Sequence, residues 1–234
     1  MSTGADTQVG AARRQAVLAS RAVGVAGLLA VALIFVPAVA GSGQEPGFTA
    51  GPGQVLAFFR SVSSPLAQFG SFVSVLGAVA LLWFAAGLAA LLREVEPAPA
   101  WRSNAAQACA VVLVALILAA DWDAAALRAA DLDPQVARFA FDVGNASFAN
   151  AWVALGGFAV ATGWIIVSMR RRPRRWLPPW LGWWAIASGT GLALCRAAWT
   201  NPIWFLPYAL FWLWLITVSV LLLRRPAPIT EQEQ

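Results

Sequence analysis

The sequence predicts an all-α integral membrane protein: a six-helix transmembrane bundle with short amphipathic helices on its outer face. Three observations carry that expectation. Of the 234 residues, 60% are hydrophobic and 12% charged, with a mean hydropathy of +0.69; soluble domains hold about 45–50% apolar and about 25% charged residues. Six stretches supply the roughly 20 apolar helical residues that a hydrocarbon core of about 30 Å demands. The arginines gather on alternate connections between those stretches, as the positive-inside rule requires.

The stretches lie at 16–40, 66–92, 103–120, 149–169, 179–198 and 205–223. They form a single transmembrane domain, 16–225, between an N-terminal tail, 1–15, and a C-terminal tail, 226–234. The first stretch imitates a secretory signal, with Arg13 and Arg14 ahead of it and Ala38-Val39-Ala40 before Gly41. Its apolar run is longer than the roughly 7–15 residues of a signal core, so a retained span is expected.

Between the first two stretches, Gly51-Pro52-Gly53 leads into 54–62, where Val55, Leu56, Phe58, Phe59 and Val62 recur near helical spacing. That pattern predicts a short amphipathic helix with Pro in its first turn, lying at the outer interface. Between the third and fourth stretches, Asp133-Pro134 forms a helix start, with Asp as N-cap and Pro at the first position. Val136, Phe139, Ala140 and Val143 then make an apolar stripe, and Gly144 and Asn145 are expected to loosen the helix before the fourth span. Both connections thus form a helical cap over the span ends.

Orientation follows from arginine. Arg13, Arg14, Arg93, Arg102, the cluster at 170–175, Arg224 and Arg225 fall on one side, against Arg60, Arg128 and Arg138 on the other. The first side is therefore cytoplasmic and holds both termini, and the outer side is acidic. The +5 net charge is a topology signal, and nucleic acid is not an expected partner. The cluster at 170–175 suits anionic headgroups, which attract such residues by roughly 1 kcal/mol each. Of the 13 Trp, Trp101, Trp176 and Trp180 mark the inner interface, and Trp122, Trp152, Trp199 and Trp204 the outer one. Trp83, Trp164, Trp212 and Trp214 fall deeper and must pack in the bundle or face lipid.

The chain has no His, and every one of its 16 basic residues is Arg. His-ligated metals, Schiff-base chemistry and the phosphate-loop lysine are all excluded. A nucleophilic Ser would find no base. Arg21 and Arg196 lie inside stretches, near enough to their ends to snorkel, and no ionisable residue falls at mid-membrane, which weighs against ion-coupled transport. Asp121-Trp122-Asp123 has oxygen ligands for a hard cation, but its carboxylates are better placed as loop and cap residues. Cys109 and Cys195 differ in depth by more than about 10 Å, too far for a disulfide. No cofactor is expected. Asp142, Asn145, Asn150 and Arg196 are the candidate ligand-binding residues, able to line an outward-facing polar pocket where the outer helix meets the fourth span.

Pro52-Gly53-Gln54-Val55 through Phe58-Phe59, Gly77-Ala78-Val79-Ala80-Leu81-Leu82-Trp83-Phe84 and Asp142-Val143-Gly144-Asn145-Ala146-Ser147-Phe148 carry a resemblance. Trp176-Leu177-Pro178-Pro179-Trp180-Leu181-Gly182-Trp183 and Phe211-Trp212-Leu213-Trp214 extend it. Together they resemble a family of small bacterial six-span membrane proteins with no assigned function. The resemblance implies an architecture, and no functional residues come with it. The abundance of Arg and Ala looks like a GC-rich bacterium, which places the protein in a bacterial inner membrane.

Two functional expectations follow. The first is a non-enzymatic multi-pass component acting through membrane lipids, a membrane-protein partner or a second copy of itself. The alternative is a carrier or binding protein for a small hydrophobic molecule, which needs a cavity lined by deep Trp residues.

Overall fold

The structure, a computed structural model, describes residues 3–41, 45–120, 122–169 and 176–225. The cluster at 170–175, Asp121 and the tail 226–234 lie outside the described residues. The elements are α1 (Thr3–Gly41), α2 (Pro52–Ser61), α3 (Pro65–Arg93), α4 (Trp101–Ala119), α5 (Asp123–Leu127), α6 (Pro134–Ser168), α7 (Pro179–Cys195) and α8 (Phe205–Arg224). No strand occurs among the described residues. Helix is the form in which an apolar segment satisfies its own backbone, which is why hydropathy alone locates these elements.

Five segments are long and apolar enough to cross a membrane: Arg14–Pro37, Pro65–Arg93, Trp101–Leu127, Pro134–Ser168 and Pro202–Arg224. The expected span at 179–198 differs. Its α-helix, α7, has 17 residues and tightens into a 3-10 turn at Arg196–Ala198, and it is not among these five segments.

The six long helices touch in chain order, α1 on α3, α3 on α4, α4 on α6, α6 on α7 and α7 on α8, and α8 returns to α1. Neighbours run antiparallel: Gly77 faces Ile34 while Gly87 faces Val23, and Gly24 and Gly27 of α1 face Leu223 and Ser219 of α8. The result is a closed ring. Small residues set its tightness, since without Cβ atoms the helix backbones approach closely. Phe84, Leu88, Phe158, Trp214 and Leu215 are buried within it. The Trp214 Nε1–H donates to the Leu181 carbonyl at 3.0 Å, joining α8 to α7. Of the deeper Trp residues, Trp212 and Trp214 are buried, whereas Trp83 and Trp164 are 70% and 50% exposed on the outside.

A second, smaller core closes one end of the ring. Val55, Leu56, Phe58 and Phe59 of α2 pack with Ala129, Ala137 and Phe141. Pro52 starts α2 as expected, and the apolar side of this helix packs on α6 and α5. The expected loosening at Gly144 and Asn145 is corrected by the structure, where α6 runs unbroken from Pro134 to Ser168. The Asn145 amide donates to the Phe141 carbonyl one turn back, at 2.9 Å, so it supports the helix. Gly144 serves packing: a Cβ there would stand 3.0 Å from the Trp122 ring and 3.1 Å from the Ala120 carbonyl oxygen. Trp122 can then stack on Phe141, with centroids 5.4 Å apart and planes 6° from parallel.

Candidate functional site

The four expected ligand residues separate into three unconnected environments. Asp142 turns along its own helix to Arg138, accepting from Nη2 at 2.7 Å and from Nε at 3.0 Å. Arg138 continues to the Phe48 carbonyl, at 2.7 Å, and to the Ala50 carbonyl. Asn145 is buried and bonded within α6. Only Asn150 and Arg196 meet: the Arg196 Nε–H donates to Asn150 Oδ1 at 2.8 Å, and the guanidinium lies 5.9 Å from the centre of the Trp199 ring. The structure therefore does not bring Asp142, Asn145, Asn150 and Arg196 into one pocket. Helix rotation decides this, because i,i+4 neighbours on one helix reach each other before they reach a second helix.

The Arg138 clasp orders the segment ahead of α2. One guanidinium holds two backbone carbonyls of that segment and a carboxylate on α6, a fork geometry that Lys lacks. Arg60 adds a second tie, donating to the Ala129 carbonyl at 3.1 Å beyond α5.

At the opposite end lies a polar junction that no sequence pattern singled out. α4 begins behind Ala100, which offers no side-chain cap. Glu96, four residues earlier, supplies the missing acceptor. Its Oε1 takes the Arg102 backbone N–H at 3.0 Å and Nε–H at 2.9 Å, and its Oε2 takes the Ser103 N–H at 2.9 Å and hydroxyl at 2.6 Å. Burial pushes the carboxyl up, but the bonds from Ser103 and Arg102 outweigh it and hold Glu96 below the usual carboxylate range. A carboxylate with both oxygens doubly engaged at a helix N-terminus is a structural anion. It has no vacant position from which to move a proton. The available signal was an acidic residue just before a helix whose N-cap cannot accept.

Arg102 extends the junction to α6, donating to Ser168 Oγ at 3.0 Å with its guanidinium 5.4 Å from the centre of the Trp164 ring. Arg93 binds Asn104 Oδ1 at 2.8 Å and Gln107 Oε1 at 3.2 Å.

The ring interior holds a cavity of about 20 Å³ lined by Leu81, Leu113, Trp152, Tyr208 and Trp212, among others. That is room for about one water, and a hydrophobic molecule of several heavy atoms does not fit. Among the described residues, no group of three His, Cys, Asp or Glu side chains converges on a metal position. Cys109 and Cys195 are both free thiols, on α4 and α7 respectively. Comparison with protein-family models, curated proteins and solved structures finds no match to this chain.

Proposed function

We propose that the protein is a six-span component of a bacterial inner membrane, with both termini cytoplasmic, that works through lipid and protein contacts on its outer surface rather than through catalysis. One observation carries this reading: among the described residues, the long helices carry large apolar side chains on the outside of the ring as well as in its core. Phe72, Trp83, Val111, Val153, Trp164, Trp183 and Leu213, from five of the long helices, are between 47% and 70% exposed. Apolar surface on that scale demands a covering, and a bilayer covers all sides at once. α7 counts as the sixth span in this reading, because its 17 residues and the following 3-10 turn together approach the length of its neighbours. The arginine distribution supports the orientation.

Photo-crosslinking in native membranes tests the reading. Photoreactive residues at Trp83 and Trp183 are expected to yield discrete adducts with one protein or with lipid. A chain recovered only alone, with neither lipid nor partner attached, overturns it. Reporter fusions at Pro97 and Asp131 are expected to read cytoplasmic and external, respectively.

A further inference from the structure

At the end of the bundle that carries Arg93, the approach to α7 and the last turn of α8 frame an open groove of about 540 Å³. One wall is Trp176, Pro178 and Trp180; the other is Leu221 with Arg224 and Arg225. Both arginines are exposed, and among the described residues neither enters an ion pair. Their neighbours differ: Arg102 is committed to Glu96 and Ser168, and Arg93 to Asn104 and Gln107. No Asp or Glu occurs in the sequence between Asp142 and Glu231, so α7 and α8 bring no counter-charge to this groove. The five arginines between 170 and 175 immediately precede Trp176 in the sequence.

We propose that this groove binds the phosphate headgroup of an anionic phospholipid, with Arg224 and Arg225 on the phosphate and Trp180 and Leu221 against the glycerol and upper acyl region. Charge complementarity selects an anion, and guanidinium suits phosphate oxygens. The walls select a lipid over a free ion. A soluble phosphate site gains nothing from two Trp and a Leu, whereas an interfacial lipid meets this pairing of basic head and aromatic flank at the cytoplasmic boundary. Trp180 is 52% exposed beside the arginines and stacks on Trp184, with centroids 5.9 Å apart, which leaves it placed for such a contact. The inference rests on the membrane reading above and names the lipid class which that reading leaves open.

Native mass spectrometry of the full chain in detergent, titrated with dioleoylphosphatidylglycerol or dioleoylphosphatidylcholine, provides the test. The anionic lipid is expected to bind preferentially, and Arg224→Gln/Arg225→Gln to weaken it by about thirtyfold. Arg14→Gln/Arg93→Gln removes the same charge outside the groove and is expected to change binding by about twofold at most. Equal losses in the two double variants identify diffuse surface attraction and overturn the site. Equal binding of the two lipids overturns it as well. Inorganic phosphate binding with the same arginine dependence, and no preference for lipid, identifies a soluble-anion site and overturns the lipid assignment. Arg224→Lys/Arg225→Lys keeps the charge and is expected to retain anionic lipid, so the comparison survives if the Gln variant fails to fold. Failure of the unaltered chain to insert into phosphatidylcholine vesicles sinks the membrane reading. Insertion without anionic preference sinks only the groove.

Discussion

Gly156 of α6 and Gly189 of α7 meet backbone to backbone: a Cβ on Gly156 would stand 2.5 Å from the Gly189 carbonyl oxygen, and one on Gly189 would stand 2.7 Å from the Gly156 carbonyl oxygen. Two turns along, Gly163 and Gly182 repeat the relationship at 2.5 and 2.6 Å. The obstructing atoms are backbone, which no rotamer change moves aside. Gly156→Ala and Gly189→Ala should each cost about 1–3 kcal/mol, as overpacking does, read as a lower midpoint in denaturant unfolding in detergent. Gly53 supplies the contrast: it lies in α2 with nothing within 4 Å of an added Cβ. Gly53→Ala should leave stability unchanged or raise it by up to about 1 kcal/mol. Equal costs at the two kinds of position contradict the close-approach account.

Glu96 makes stability depend on acid. Its folded pKa lies below the usual 4.5, so the carboxylate contributes stability above that value, and the contribution drains away as pH falls through the lower folded pKa. Unfolding followed from pH 7 downward should show an acid limb starting near the usual carboxylate value. Glu96→Gln should flatten that limb and cost about 3 kcal/mol at pH 7, because the Arg102 and Ser103 donors lose a buried anion. A variant with an unchanged acid limb shows that another group sets it.

Arg138 and Asp142 are an ion pair whose two members contribute unequally. Asp142 is 46% exposed as a side chain, and an exposed i,i+4 pair contributes about 0.3–0.5 kcal/mol. Asp142→Asn should therefore be nearly silent in stability. Arg138→Ala releases the Phe48 and Ala50 carbonyls as well, and should cost about 1–2 kcal/mol. Amide exchange should then accelerate at 47–50 while the long helices keep their protection. Exchange that rises equally after both substitutions refutes the clasp.

Trp214 and Trp152 are both fully buried, but only Trp214 has a partner for its Nε1–H. Trp→Phe removes similar volume at each site. Trp214→Phe should cost about 1 kcal/mol more than Trp152→Phe, the net value of a buried hydrogen bond. Paired unfolding curves measure the difference, and its absence removes the Trp214–Leu181 bond from the stabilising contacts of α7 and α8.

Legibility in the sequence followed the range of the physics. Pro65 to Arg93 matched the expected second span almost to the residue, because hydropathy and a flanking Arg are local properties. Asp133 capped α6 as its position before Pro134 implied, accepting from the Gln135 N–H at 2.8 Å. Gly144 misled: glycine in a helix pattern reads as a weak point, but here it admits Trp122, which arrives from the preceding connection. Glu96 escaped notice because its partners are backbone donors of a helix that had not begun. Asp142 and Arg196 were grouped because both lie near one end of the chain's spans, yet depth along the bundle says nothing of which way each faces.

By itself the sequence determined that the chain is helical, how long most of the helices are, and where arginine and tryptophan sit along them. These depend on each segment satisfying its own backbone and on how far each residue lies from its nearest boundary. The tertiary structure alone decided that α8 closes on α1, that Gly156 faces Gly189, that Asp142 turns to Arg138, and that Arg224 and Arg225 line a groove with no acid among its described lining residues. Those relationships depend on how each helix is rotated about its axis. Rotation is set by the fit of small residues across helix pairs, and no single segment carries that information.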